Sequence, residues 1–343
     1  MTSPNTPDPQ WRLTALELEV LGAMALYANG NQQVVIQVYL KAVVGAPEDL
    51  DPVEVELTAQ EVARLQIFTF ETEQPVGWDQ SGPGWSVSMV AKGYDPFPAA
   101  AVEPFVRSSP SRVGGQYWRF YLSGFRNADV VPGVPSRFVL SVRGDNGIRY
   151  LSNGKFWDAE GKRNDRRAFT SSVNITPVKT PDYLADNFRL SKTQLAFGTL
   201  DSSSAEPSDP VASFMFVLSL VVDGEVIRVR HLTSEPAGMI QWYRNFPGES
   251  FASYTGFAGP QDTAFQWNTN IGQGNSQPPL LPPSQRGKAM LVLAGRVDIP
   301  YTPNQPGGPC ALSIIDANGN SHHLNAQFAD TSPSGRWELT LTD

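Results

Sequence analysis

Apolar and polar residues alternate along several stretches of this chain, which is the pattern of half-buried β-strands. The clearest stretches are Gln33–Leu40, Ser136–Val142, Val226–His231 and Arg336–Leu341. Tight-turn dipeptides separate neighbouring apolar runs at Asn146-Gly147, Asp223-Gly224 and Asn318-Gly319. Such dipeptides tolerate the positive φ angles of two-residue hairpin turns, so the sequence predicts a β-hairpin at each of them.

Other segments depart from simple alternation. Val211–Val222 is apolar on both faces and is expected to be a central, buried strand. Leu13–Ala28 contains good helix formers, but we interpret it as a strand that forms a hairpin with Gln33–Val43. Thr58 and Glu61 match a capping box, which predicts a short helix over Leu57–Leu65. Lys155–Arg167 is polar and basic and is expected to be a loop.

The pattern as a whole predicts a mostly β fold with two β-sandwich-like domains, long Pro- and Gly-rich loops, an N-terminal arm and one short helix. Residues 1–12 form the polar, Pro-rich arm, residues 13–178 the first domain and residues 179–343 the second. The boundary falls in the Pro-containing segment Thr176–Tyr183. Residues 234–287 are expected to be a long loop region rich in aromatic residues, and loops of that length usually carry function.

Composition narrows the classes of function. Only 17% of the 343 residues are charged, against about 25% in a typical soluble domain, which suits extensive contact with other proteins. The net charge of −8 gives no general attraction to nucleic acid. The single Cys310 excludes an internal disulfide and is expected to be buried and inert. With 3 His and 1 Cys, no zinc-ligand spacing occurs, and neither a metal site nor a cofactor is predicted.

The first ten residues have neither a basic region nor an apolar core of the kind found in secretory signals. No stretch reaches the roughly 20 apolar residues of a membrane-spanning helix. We therefore expect the protein to be synthesised in the cytoplasm and, if it acts outside the cell, to leave within a released particle or assembly.

One segment resembles a catalytic motif. Gly248-Glu249-Ser250-Phe251-Ala252 is close to the esterase nucleophile elbow, and Asp298 or Asp316 followed by His322 or His323 would supply the acid and base in the right order. The flanking residues predict neither the preceding strand nor the following helix that an elbow needs. We therefore expect a polar turn there and a protein that is not an enzyme. A glycan-cleaving enzyme with a close carboxylate pair remains an open alternative.

Aromatic residues outside the predicted strands are candidates for binding, because exposed rings stack on apolar sugar faces and anchor protein interfaces. These candidates are Trp78, Trp85, Trp242, Tyr243 and Trp267. Trp118 and Trp337 fall within predicted strands and are expected in the core. Burial of a loop tryptophan beneath its own loop is the competing interpretation.

Candidate assembly contacts lie at the arm and in the basic segment. They are Trp11, Arg12, Arg163, Arg166 and Arg167. The sequence thus favours a non-enzymatic structural protein that associates with copies of itself or with partner subunits, as in a phage particle, a phage-derived tail or another bacterial assembly. The alternative is a carbohydrate- or receptor-binding module, for example of a secreted toxin, with a glycan as ligand.

Overall fold

The computed structural model describes residues 11–45, 51–98, 114–165, 169–199, 210–237, 239–244, 252–260, 283–296, 303–304, 306–329 and 333–343. The chain divides into two compact units, Met1–Thr180 (unit 1) and Pro181–Asp343 (unit 2). The described residues are mostly β-strand, with one α-helix and three short 3₁₀ helices, so the predicted fold class is confirmed.

Unit 1 contains two sheets. The strands of the first sheet are β1 (Trp11–Leu21), β3 (Val34–Val44), β4 (Val53–Val55), β6 (Gly77–Trp78), β7 (Gly84–Ser88) and β8 (Gln116–Phe125). Their order is β1-β3-β8-β7-β6, with β4 also paired to β3. β1 and β3 are antiparallel, as predicted, but the predicted strand Leu13–Ala28 ends at Leu21, and Ala25–Tyr27 forms a separate strand in the other sheet.

The second sheet of unit 1 contains seven strands. They are β2 (Ala25–Tyr27), β5 (Gln66–Thr69), β9 (Ser136–Arg143), β10 (Arg149–Leu151), β11 (Lys155–Trp157), β12 (Arg163–Asp165) and β13 (Val173–Val178). Their order is β12-β11-β10-β9-β13-β2, with β5 on the other edge of β9. The turn at Asn146-Gly147 joins β9 to β10, as the sequence predicts.

One apolar core joins the two sheets of unit 1. It takes alternate residues from both, including Ile36, Phe120 and Leu122 from the first sheet and Leu140, Val142 and Ile175 from the second. Because each strand turns every second side chain inward, the two sheets can bury a common layer, as in a β-sandwich. The core residues just named are fully buried.

The helix α1 (Ala59–Val62) is capped as predicted. The Thr58 hydroxyl accepts a hydrogen bond from the Glu61 backbone N–H at 3.2 Å, and the Glu61 carboxylate accepts one from the Thr58 N–H at 3.0 Å. These two bonds satisfy backbone donors that the first helical turn leaves free.

Gln74–Trp78 passes from one sheet of unit 1 to the other. The Val76 N–H donates to the Ile67 carbonyl at 2.9 Å, beside β5 in the second sheet. Two residues later Trp78 pairs with Val87 in the first sheet. This segment therefore closes one edge of the sandwich.

Unit 2 also contains two sheets. The strands of the third sheet are β14 (Phe188–Thr199), β15 (Pro210–Val222), β16 (Glu225–Ile227), β18 (Met239–Gln241), β19 (Ala252–Ala258) and β20 (Ala289–Arg296). Those of the fourth sheet are β17 (Val229–Glu235), β21 (Cys310–Asp316), β22 (Ser321–Phe328) and β23 (Leu339–Thr342). Their orders are β14-β15-β20-β19-β18, with β16 on β15, and β17-β21-β22-β23.

The predicted central strand of unit 2 is confirmed. β15 lies between β14 and β20 and is apolar on both faces. Phe216 and Leu218 belong to a core shared with the fourth sheet, whereas Met215 and Val217 belong to a separate apolar cluster on the opposite face. The hairpins at Asp223-Gly224 and Asn318-Gly319 are also present, between β15 and β16 and between β21 and β22.

Three expectations about elements are wrong. Region 234–287 contains β18 and β19 in addition to loops, because the small residues of Ala252–Ala258 hide the strand pattern while pairing well in the middle of a sheet. The predicted single strand through Val226–His231 breaks after Ile227, where the chain moves from the third sheet to the fourth. Lys155–Arg167 contains β11 and β12.

Two further points concern helical structure. Trp337 ends a 3₁₀ helix, Pro333–Trp337, and does not lie in the predicted strand, which begins at Leu339. It packs beside the core of unit 2 all the same. In the part of the chain that the structure describes, no helix has the length and apolar character needed to cross a membrane.

Candidate functional site

A row of arginine and aromatic side chains crosses the outer face of the second sheet in unit 1. The strand register creates it, because Arg149 of β10 lies opposite Trp157 of β11, and Trp157 lies opposite Arg163 of β12. Directly opposed residues in antiparallel strands point to the same face and touch. Adding Phe68 of β5 completes the set that we call the arginine stack.

Cation–π geometry holds the arginine stack together. The Arg149 guanidinium lies 4.5 Å from the centre of the Phe68 ring and 4.7 Å from that of the Trp157 ring. The Arg163 guanidinium lies 5.8 Å from the centre of the same Trp157 ring. Separations below about 6 Å are favourable and stabilise by roughly 0.5–1 kcal/mol each at exposed sites. A parallel contact joins Arg137 to the Phe70 ring at 3.8 Å.

Hydrogen bonds and ion pairs fix the positions of these cations. Arg149 Nε donates to Ser141 Oγ at 2.9 Å, and Arg137 Nε donates to Ser172 Oγ at 2.8 Å. The carboxylate of Glu73 pairs with both Lys155 and Arg163. One acid thus faces two cations.

Burial has a measurable electrostatic consequence in the stack. It lowers the pKa of the Arg149 guanidinium, while the charge of Glu73 raises it and that of Arg143 lowers it further. The guanidinium remains protonated at neutral pH even when it is partly buried, because an arginine does not lose its proton in proteins. Arg149 is therefore a partly desolvated permanent cation, which interacts more strongly with an anion than a fully hydrated one does.

A second cation–aromatic series occurs in unit 2. The Arg336 guanidinium lies 4.8 Å from the centre of the Trp242 ring and 5.6 Å from that of Trp337. Tyr243 meets Trp242 edge-on at 6.1 Å, and Arg244 lies 5.8 Å from the Tyr243 ring. Tyr243 is 52% exposed, whereas Trp242 is only 6% exposed.

The predicted aromatic binding residues have different fates. Trp85 lies in β7 and not in a loop, and it is buried, with its ring 4.9 Å from Phe138 and its Nε1 donating to the Asp129 carbonyl at 3.2 Å. Trp78 is half-buried against the core of unit 1. The binding interpretation needed exposed loop rings, whereas both rings are flanked by Gly or Pro and still pack against the core of unit 1.

Trp242 is buried as well, and its indole Nε1 has no hydrogen-bond partner among the described residues. Of the predicted binding residues that the structure describes, Tyr243 is the one with a largely exposed ring. Trp267 lies outside the described residues.

The predicted assembly contacts lie in different parts of unit 1. Trp11 begins β1 and is buried, stacking on Tyr150 at 5.9 Å and donating from Nε1 to Glu61 Oε1 at 2.7 Å. It belongs to the core of unit 1, so the expectation of an exposed arm residue is wrong. Arg12 also lies in β1, where its Nε donates to the Gly45 carbonyl at 3.4 Å. Arg163 belongs to the arginine stack, while residues 1–10, Arg166 and Arg167 lie outside the described residues.

Sequence reasoning missed Arg149, Trp157 and Phe68. The available signal was the pair of turns at Asn153-Gly154 and Glu160-Gly161, each of which favours a hairpin. Two successive hairpins place Arg149, Trp157 and Arg163 side by side, but treating Lys155–Arg167 as a loop concealed this.

Of the acids and bases considered in the sequence, Asp316 and His322 are in contact. His322 Nε2 and Asp316 Oδ2 are 3.1 Å apart, and both side chains are buried. Asp316 Oδ1 also accepts hydrogen bonds from the N–H groups of Asn318 and Asn320 at 2.8 and 2.9 Å. The imidazole packs on the Tyr183 ring at 5.2 Å, and Tyr183 has its pKa raised by burial and by the charges of Asp316 and Asp223.

This arrangement stabilises the turn between β21 and β22. A catalytic base must reach a nucleophile and a substrate, whereas only 1% of the His322 side chain is exposed. Ser250 lies outside the described residues. Within the ranges that the structure describes, no three His, Cys, Asp or Glu side chains are grouped so as to hold a metal ion.

The arginine stack is thus the strongest candidate site among the described residues, and guanidinium groups are chemically suited to contact carboxylates and other anions. No protein-family model and no curated protein matches this chain, so its function has to be argued from the geometry given above.

Proposed function

We propose that this chain is a non-enzymatic structural protein that packs against other protein subunits, beginning with copies of itself. The observation that carries this proposal is the arginine stack on the outer face of the second sheet. Arginine and tryptophan dominate the binding energy of protein interfaces, and here they alternate across neighbouring strands.

The stack is already ordered before any partner binds. Arg149 is held between the rings of Phe68 and Trp157 and bonded to Ser141. Immobilising a free arginine on binding would cost about 0.5–1.5 kcal/mol, and a side chain that is held beforehand avoids most of that cost. The surface is therefore suited to a rigid, specific contact.

Charge supports a partner of the same kind. The chain carries a net charge of −8, so the positive stack of one copy is attracted to acidic surfaces of another. The low charged fraction of 17% also favours large contact areas, because fewer charges have to be desolvated on contact. A subunit with these properties suits a phage particle, a phage-derived tail or another bacterial assembly.

Mass photometry of the full-length protein tests the proposal. We expect particles larger than the 37.5 kDa single chain, in proportions that fall as salt concentration rises. Arg163→Ala should shift these particles toward the single chain, because Arg163 is the most exposed cation of the stack, with 47% of its side chain accessible.

Arg119→Ala is the matched control. Arg119 is also an exposed arginine on a strand, but it lies in β8 of the first sheet, opposite Gln37. Its removal should leave the particle distribution unchanged. A wild-type protein that stays a single chain at every concentration, or an equal effect of the two substitutions, would contradict the proposal.

A further inference from the structure

A groove lies at the edge of unit 1 that Gln74–Trp78 closes, apart from the arginine stack. Its volume is about 840 Å³, within the roughly 300–1,000 Å³ range of small-ligand sites. The lining comes from the 66–77 segment, the 80–85 segment and the 127–137 segment. All of them belong to unit 1, so the groove is complete within that unit.

Four side-chain amides belong to the polar lining. The groove is lined by Gln66, Gln74, Gln80 and Asn127. Each amide offers both donors and an acceptor, which is what a sugar hydroxyl requires, since it donates one hydrogen bond and accepts others. The Asn127 amide is oriented by its own turn, because its Oδ1 accepts from the N–H groups of Asp129 and Val130, both at 2.8 Å.

The lining also contains one tryptophan and three prolines. Trp85 also lines the groove, although it is only 8% exposed, and its indole is held in place by its bond to the Asp129 carbonyl. A few fixed polar groups beside an apolar residue are the usual composition of sites that orient a ligand. Pro75, Pro83 and Pro135 stiffen the three lining segments, so the groove is formed before binding.

Charge selects against anionic ligands. Two carboxylates, Glu71 and Asp129, line the groove. The one cation of the lining, Arg137, is already engaged by Ser172 and by the Phe70 ring. The lining therefore carries a net negative charge that disfavours an acidic sugar, whereas a neutral sugar would find acceptors for its hydroxyl protons.

We infer that this groove binds a neutral oligosaccharide. It is open to solvent and takes a stretch of a chain rather than a fully enclosed small molecule. This inference does not depend on the proposed assembly through the arginine stack.

Isothermal titration of the full-length protein with cellohexaose, chitohexaose and maltohexaose tests the inference. We expect saturable binding of at least one of them. Gln74→Ala combined with Gln80→Ala should lower the association constant about tenfold or more, equivalent to roughly 1.4 kcal/mol. Both side chains are exposed, so their removal leaves the fold intact, which circular dichroism would verify.

Gln37→Ala serves as the matched control, because Gln37 lies on β3 of the first sheet and does not line the groove. It should leave binding unchanged. Absence of binding of all three sugars at millimolar concentration would overturn the inference, as would full binding by the double variant. Shortening of a sugar during incubation would overturn its assignment as a non-catalytic site.

The two proposals fail separately. The double glutamine variant should keep the particle distribution of the wild type, and Arg163→Ala should keep sugar binding. Loss of both properties in either variant would indicate unfolding of unit 1 and would contradict the assignment of two distinct sites.

Discussion

At the residue scale, Cys310 illustrates how burial sets chemical behaviour. It begins β21, is fully buried in the core of unit 2 and is a free thiol. Burial raises its pKa to about 11, and the charge of Glu235 acts in the same direction, while hydrogen bonds from Ser234 and Glu235 act against it. Because the thiolate is the reactive form, Cys310 is protected both by access and by protonation.

We expect native Cys310 to react very slowly with a disulfide reagent at about pH 8, where an ordinary exposed thiol reacts readily. The same protein unfolded in urea should react stoichiometrically, which serves as the control. Because the folded-state pKa of about 11 lies above the ordinary value of 9.0, the folded state keeps its proton longer. The protonated, buried Cys310 thiol therefore stabilises the folded state below about pH 9, and this stabilisation is lost as pH rises towards 11. Rapid, complete reaction of the native protein would contradict this.

Single residues were predicted unevenly from the sequence. Burial of Cys310 is confirmed, since a lone cysteine in an apolar run is usually a small core residue. Trp11 was expected in an exposed arm and Trp85 in a loop, and both are buried in strands. Their neighbours are proline, glycine or polar residues, and the rings that they touch, Phe138 and Tyr150, are far away in the sequence. No local pattern reports such a contact.

At the element scale, the start of α1 joins three parts of unit 1. Glu61 is 2% exposed and closes the capping box with Thr58. Its other oxygen accepts from the Trp11 indole at 2.7 Å and from the Asp145 N–H at 3.0 Å. One carboxylate therefore links the helix to β1 and to the turn between β9 and β10.

The two members of the capping box should contribute unequally to stability. Thr58→Ala removes one cap bond and should lower the free energy of unfolding by about 1 kcal/mol. Glu61→Ala also leaves the Trp11 indole and the Asp145 N–H without their acceptor and should cost about 2–4 kcal/mol. Urea unfolding followed by tryptophan fluorescence measures both.

Glu71→Ala provides the reference for removing an exposed glutamate and should change stability by less than about 0.5 kcal/mol. Equal losses for Thr58→Ala and Glu61→Ala would mean that the links to β1 and to the turn carry no stability.

Elements with a local signature were predictable, and those that depend on pairing were not. The hairpin at Asp223-Gly224 follows from its dipeptide, which adopts φ values of 51° and 86°. β19 was missed because Gly256 and Ala258 lower its strand propensity, although its neighbours β18 and β20 pair along it. The arginine stack was missed because it exists only once the register of its strands is known.

At the scale of the whole molecule, each unit has its own apolar core. The main cluster of unit 1 contains no residue of unit 2, and that of unit 2 contains none of unit 1, among the residues that the structure describes. The first is built around side chains such as Phe120 and Phe138, the second around Phe216 and Leu291. Each cluster is large enough to support a domain of this size.

We expect residues 1–180 and 181–343 to fold when they are produced separately. Each fragment should unfold cooperatively and give a dispersed amide proton spectrum, because its sheets pair within the fragment. Thermal unfolding followed by circular dichroism, together with nuclear magnetic resonance, measures this. A matched pair cut at residue 150, within β10, should yield an unfolded first fragment. Failure of the 1–180 fragment to fold would show that its core is insufficient on its own.

Sandwich-like domains could be predicted from strand count and turn spacing, but strand order could not. β2 pairs in parallel with β13 across about 150 positions of the chain, and β3 pairs with β8 across a long gap. Side-chain alternation states which face of a strand is buried and not which strand lies beside it. The edge groove depends on those same long-range neighbours.

The crossing of Gln74–Trp78 between sheets has a mechanical consequence. A force that slid one sheet of unit 1 over the other would have to break the bond from Val76 to Ile67 and the pairing of Trp78 with Val87 together. These bonds lie within a few residues of each other on one chain, so they share the load and rupture as a unit. Separation of the two sheets at this edge would therefore require both contacts to break.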